Sequence, residues 1–183
     1  MQVKGNILRA RISFVQERFG QDAWDRVVRT MSAADQQQLN GIVNVAWYPF
    51  DLGRRLDDAI VAVVGGGKTA VFEEMGRASA RANLTTVHKS FLEPRDPAAF
   101  MQKTPMIYRF YYDTGRRTWE ATGPTSGVIT TYEADTHSVP DCATVVGWYK
   151  EALAMAGARE IAIVEESCRA RGGEFCRYRV SWS

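Results

Sequence analysis

From Val3 to Tyr112 the apolar positions recur mostly at three- and four-residue steps, the spacing of helices with one buried face. A first helix is predicted over Val3 to Gly20, where Ile7, Leu8, Ile12, Val15 and Phe19 form a stripe with Arg9, Arg11, Gln16 and Arg18 between them, and Gly20 supplies a stop. A second helix is predicted from Asp22, with Trp24, Val27, Val28 and Met31 inward. Ser32 caps a short third helix through Leu39, its Asp35 standing three residues on as in a capping box. Asn40 to Phe50, rich in Val, Ile and aromatics, is predicted to be extended as far as the Pro49 break. Helical period returns from Asp51 to Val64 and ends at Gly65-Gly66-Gly67. Thr69 to Val87 is predicted as a long helix whose small residues suit close helix packing. Asp96 with Pro97 opens a shorter one, since proline's missing donor costs nothing in a first turn, and Pro105 interrupts or restarts it before Met106 to Tyr112.

At Asp113-Thr114-Gly115 the pattern changes. Arg117 to Thr122 and Val128 to Tyr132 read as strands joined by a loop from Gly123 to Gly127. Pro140 and Asp141 open a helix through Met155 that Gly157 stops. Glu160 to Glu165 is a short apolar strand, Arg171-Gly172-Gly173 a turn, and Phe175 to Trp182 a returning strand. In that last strand Cys176, Tyr178, Val180 and Trp182 alternate with Phe175, Arg177, Arg179 and Ser181, one packed face against one wet face. The expected fold class is α+β: one domain spanning residues 1–183, with a helical N-terminal half packed on an antiparallel sheet and ending β-β-α-β-β.

Composition narrows the function classes. The 183 residues carry a net charge of +2 from well-mixed signs, so no basic block advertises a nucleic-acid partner. No apolar run is long enough to span a membrane and the N-terminus lacks an apolar signal core, so a cytoplasmic protein is expected. An odd count of three cysteines then points to thiols or metal ligands rather than a disulfide framework.

Few motifs carry chemistry. Gly65 to Thr69, GGGKT, ends like a phosphate-binding loop, but Ala62 stands where the first glycine is needed and a helix, not a strand, precedes it. His88 and His137 have no serine or cysteine partner by spacing, and no acid, base and nucleophile converge, so a non-enzyme is expected. Phe72, Met75, Met106 and Phe110 are candidates for the lining of an apolar ligand pocket, against the plainer reading that they are core. The tryptophans and the Tyr111-Tyr112 pair read as core and interface anchors.

The strongest constellation is Cys142, Glu165, Cys168 and Cys176. Zinc favours four tetrahedral ligands from thiolate, imidazole and carboxylate, and a set closed by protein alone is structural. Cys142 falls in the first turn of the last helix; Cys168 ends one strand and Cys176 begins its partner across the glycine turn. Glu165 stands three residues before Cys168, on the opposite face of a regular strand, so joint ligation requires a bulge or a strand end between them; Glu166 is the fallback. The alternatives are three reduced thiols or a Cys168–Cys176 disulfide.

ESCRARGGEFCRYRV closely resembles the C-terminal signature of the 4-vinyl-reductase domain, a relative of the TRAPP trafficking subunits and of haem nitric-oxide-binding domains. The resemblance covers roughly the last quarter of the chain and implies a helical body with an antiparallel sheet. In phenol-sensing members a cysteine ahead of the last helix, then Glu-x-x-Cys-x7-Cys, holds a zinc, and Cys142, Glu165, Cys168 and Cys176 match that pattern one by one. WYPFDLGRRLDDAI, VFEEMGRASARANL and YYDTGRR also resemble an uncharacterised bacterial family of about this length, which implies no activity. Neither histidine has a proximal-ligand context and the Tyr-x-Ser-x-Arg element of haem sensors is absent, so haem is not expected. The resemblance implies a regulatory module that binds a small apolar molecule, with a structural zinc; the alternative is a homodimeric adaptor without ligand.

Overall fold

The computed structural model describes every residue except Val87, Thr136 and His137. β1 (Gln2–Lys4) leads straight into α1 (Gly5–Phe19), α2 (Gln21–Arg29) and α3 (Ala33–Asn40). β2 (Trp47–Pro49) precedes α4 (Phe50–Val63), α5 (Ala70–Leu84), α6 (Pro97–Gln102) and α7 (Thr104–Tyr111). The remainder is β3 (Arg116–Gly123), β4 (Ser126–Tyr132), α8 (Val139–Met155), β5 (Ala162–Ser167) and β6 (Cys176–Ser181). The α+β layout and its β-β-α-β-β ending are therefore as expected, with an antiparallel sheet in the order β3-β4-β6-β5.

Local chemistry sets the boundaries. Gly20, at φ 86°, takes a backbone conformation closed to most side chains and so divides α1 from α2. The Ser32 hydroxyl accepts the Asp35 N–H at 3.1 Å, and Asp96 accepts the Ala99 N–H at 2.8 Å beside Pro97. Gly66 and Gly67, at φ 59° and 76°, form the exit turn of a helix, not the strand-to-helix loop that binds phosphate.

Three expectations needed correction. The first helix does not begin at Val3: Gln2–Lys4 pairs with Trp47–Pro49, a ribbon three residues long that leaves no periodic signal. Of Asn40 to Phe50 only Trp47–Pro49 is extended. The loop expected from Gly123 to Gly127 is a tight turn at Pro124-Thr125, because the ladder runs on to Gly123↔Ser126.

The interior falls into two apolar clusters. One joins α1, α2, α4 and the start of α5 through Leu8, Val15, Leu52, Leu56, Ile60 and Phe72. The other joins α6, α8 and the sheet through Phe100, Met101, Trp148, Leu153, Tyr178 and Val180. α5 and α8 run side by side between them, backbone against backbone. A methyl group at Gly76 would collide with the Thr144 carbonyl, and one at Gly147 with that of Glu73. The two helices touch because two residues have no side chain.

Candidate metal centre and adjoining cavity

Cys142 lies in the first turn of α8, where the Ser138 hydroxyl accepts the Asp141 N–H at 3.3 Å and Pro140 fits the opening turn. Cys168 follows β5, a single 3₁₀ turn covers Arg169–Arg171, and Gly172 reverses the chain in the left-handed conformation at φ 87°. The Gly173 N–H then closes on the Cys168 carbonyl at 2.9 Å, and Cys176 begins β6. These turns place Cys142 Sγ 3.5 Å from Cys168 Sγ and 3.8 Å from Cys176 Sγ, with all three sulfurs within 4.8 Å of one another. Tetrahedral zinc with bonds of about 2.3 Å sets its sulfurs about 3.8 Å apart, so the triad matches a zinc site's dimensions. All three thiols are free and buried.

The strand irregularity that joint ligation required is present. β5 pairs with β6 through Glu165↔Tyr178 and then Ser167↔Arg177, a register shift that skips Glu166. It leaves Glu165 half-buried and more sheltered than Glu166, which reaches Arg179 at 2.9 Å. One Glu165 oxygen takes Arg171; the other, Oε1, is buried with no hydrogen-bond partner. The structure thus brings the three cysteines together, and Glu165 stands outside the close group with one oxygen unused. A buried carboxylate oxygen without a partner has the donor chemistry of a fourth ligand, and it would have to move toward the three sulfurs to join them.

The thiols share their protons unequally. Cys142 is held well above the usual thiol range by its hydrogen bond to Cys176 and by burial, and burial also raises Cys168. Cys176 is lowered by the same bond from Cys142, aided by the Arg169 N–H at 3.5 Å.

One residue before Cys142, Asp141 lines a partly open cavity between α1, α5, α7, α8 and the start of β3, about 60 Å³ in volume. Of the candidate pocket residues only Met75 lines it. Phe72 is fully buried in the N-terminal cluster, while Met106 and Phe110 are 47% and 44% exposed on the outside of α7. The phase of α7 turns Ile107, Tyr108 and Tyr111 inward instead. His88 packs its ring against Phe91, Phe110 and Tyr111 at centroid distances of 5.3–5.4 Å, and His137 lies outside the described residues.

A buried ionic network flanks the cavity. The Arg11 guanidinium donates to Asp57 at 2.5 and 3.0 Å and to Asp141 at 3.3 Å, and the Tyr112 hydroxyl donates to Asp141 at 3.1 Å. Burial outweighs the pairing at Asp57, whose carboxyl is pushed up to about 6. Opposite, Arg117 donates from Nε to Thr131 Oγ1 at 2.9 Å and lays its guanidinium over the Tyr108 ring at 4.7 Å. The sequence reading missed this group. Its one available signal was Arg11, which sits within the apolar stripe four residues from both Ile7 and Val15.

The family model described as "Protein of unknown function (DUF2378)" matches residues 43–183. The chain belongs to that family. No curated protein matches this DUF2378 member. Among solved structures it is similar to an H-NOX protein from S. oneidensis in the Fe(II)NO ligation state, with TM-score 0.75 and 13% identity over 98% of this chain and 99% of that one. An Fe(II) unliganded H-NOX mutant from K. algicida gives TM-score 0.74 and 12% identity, covering 98% and 96%. At such identities the likeness is one of fold.

Proposed function

We propose that this DUF2378 protein is a non-enzymatic sensory module that binds a small molecule in the cavity beside α8 and carries a structural zinc at its C-terminal hairpin. One observation carries the reading: Asp141 in the cavity wall and Cys142 in the thiol triad are consecutive residues of one helical turn. A guest that shifts that turn shifts a metal ligand. The H-NOX-like fold supports it, as does the Glu-x-x-Cys-x7-Cys spacing that resembles 4-vinyl-reductase domains. No described helix is long and apolar enough to cross a membrane.

Cys142, Cys168 and Cys176 would hold the zinc, with Glu165 Oε1 as fourth ligand, and a site closed by protein ligands supplies folding energy rather than chemistry. Haem does not fit. The cavity's 60 Å³ is far below the roughly 300–1,000 Å³ of sites for larger ligands, and its described lining offers no histidine or cysteine.

Native mass spectrometry of protein purified without chelator should show one zinc per chain, lost in Cys168→Ser. Metal-free protein with three titratable thiols would sink the zinc. The adaptor reading rests on one exposed apolar stretch, Val43, Val45 and Trp47, at 55%, 78% and 38% exposure. Light scattering that gives a dimer dissociated by Val45→Asp would favour it.

A further inference from the structure

We propose that the cavity is a receptor for a small organic monocarboxylate, its charged end held by Arg117 together with the hydroxyls of Tyr111 and Tyr149. The proposal rests on the ligand-sensing reading above and names its guest.

Of the two arginines in the cavity wall, Arg11 has two carboxylates, Asp57 and Asp141. Arg117 has no carboxylate within ion-pair distance among the described residues; its one hydrogen bond there is to a threonine hydroxyl, and its other neighbours are tyrosine rings. Arg117 is half-buried, and a guanidinium drawn partly out of water is stabilised by an anionic partner. Hydrogen bonding points the same way. Tyr111 and Tyr149 are 8% and 2% exposed, both line the cavity, and neither hydroxyl has a partner among the described residues. Buried hydroxyls are seldom left unpaired, and a bound water or other small guest is one way to satisfy them.

The unsatisfied groups are all able to donate: guanidinium N–H groups and two O–H groups. A carboxylate, which only accepts and pairs with arginine through two oxygens, satisfies them together. The rest of the wall, including Ile7, Met75, Ile107, Val145 and Trp148, suits a hydrocarbon end. Size and charge then narrow the class. A volume of 60 Å³ is room for roughly four to six water-sized atoms, where one water needs about 10–15 Å³, so an acid of two or three carbons fits within it. Asp141 in the same wall opposes a second negative charge, which leaves phosphates and dicarboxylates out.

There is one rival account of Arg117. Arg117 pairs with Thr131, and Thr131 with Cys176, so the three form one row across β3, β4 and β6. On that account the arginine is a counter-charge to the thiolates and needs no guest.

The test is an NMR titration of the full zinc-loaded chain with ¹³C-labelled propionate in a chloride-poor buffer, set against the neutral isostere propionamide. Saturable propionate binding is expected, with propionamide about tenfold or more weaker. Tyr149→Phe and Arg117→Lys should each weaken propionate by about tenfold while leaving zinc content unchanged. If Arg117→Lys does not fold, the Tyr111→Phe/Tyr149→Phe double variant decides, since it removes only two hydroxyls. Equal binding of acid and amide, variants that leave propionate affinity unchanged, or an Arg117→Lys chain that loses zinc but keeps propionate would overturn the proposal. Xenon entering a cavity that propionate does not enter would refute the carboxylate and spare the sensor reading. Entry by neither refutes both.

Discussion

Two groups of buried polar side chains meet at the first turn of α8, and they are finished to different degrees. In the Arg11 network the guanidinium reaches both Asp57 and Asp141, and the Tyr112 hydroxyl takes a further place on Asp141. None of these groups leaves a buried side-chain atom unpaired. The thiol cluster is the reverse. Its sulfurs are spaced for a metal, two of them are raised as thiols, and the adjacent Glu165 Oε1 has no partner. A closed network fixes helices in place and asks for nothing. An open one has room for something from outside the chain, here the zinc proposed above.

That contrast can be broken experimentally. The largest effect should come from the open side: stripping zinc, or Cys168→Ser, should lower the urea midpoint by an amount worth about 5 kcal/mol or more, since structural zinc contributes about 10–16 kcal/mol in metal-dependent peptides. An unchanged midpoint with and without chelator would place the cysteines among ordinary core residues. On the closed side Arg11→Met should cost about 3–5 kcal/mol, because it strands two carboxylates in the interior, and adding Asp57→Leu should recover part of that loss. Additive effects of the two changes in a double-mutant cycle would show that the network is not coupled.

A third change bears on both sides at once. Gly147→Ala should cost about 1–3 kcal/mol by forcing α8 off the Glu73 carbonyl, and it should weaken zinc retention as well because Cys142 rides on the same helix. Loss of stability with zinc retention intact would show that the hairpin holds the metal independently of α5.

The gentlest perturbation is pH. Asp57 has a folded value near 6, above its ordinary 3.8, so the folded state binds this proton more tightly than the unfolded chain. Its contribution to stability is therefore fully present below about 4 and is lost as pH rises through about 6. Carboxyl ¹³C NMR should show a midpoint near 6 that is missing in Asp57→Asn, and a midpoint at or below 4 would mean that the pairing to Arg11 outweighs burial.

The helices were legible because their evidence is local: Leu52, Leu56 and Ile60 recur at helical steps, and Ser32 and Asp96 cap where capping residues should. The cysteine–glutamate spacing was equally plain, and it even demanded the irregularity now seen between Glu165 and Ser167. What was hidden depends on distant partners. Gln2–Lys4 is a strand only because Trp47–Pro49 lies beside it. Phe72 and Met75 both belong to α5, yet only Met75 reaches the cavity, and periodicity names a face without naming what lies across from it. Arg117 was read as part of a strand, and nothing in its neighbours along the chain showed that its guanidinium would lie against tyrosine rings.

The glycine contact between α5 and α8 bears on how the cavity could be re-engineered. Where backbone meets backbone there is no rotamer to swing aside, so Gly76 and Gly147 make these two helices a fixed bracket. α7 is built differently: eight residues long, set off from α6 by Lys103, and lined inward by Ile107, Tyr108 and Tyr111. A designer who wanted a roomier chamber would leave the bracket alone and trim that panel. Tyr111→Ala would be the place to begin, where the deleted ring itself becomes the added volume.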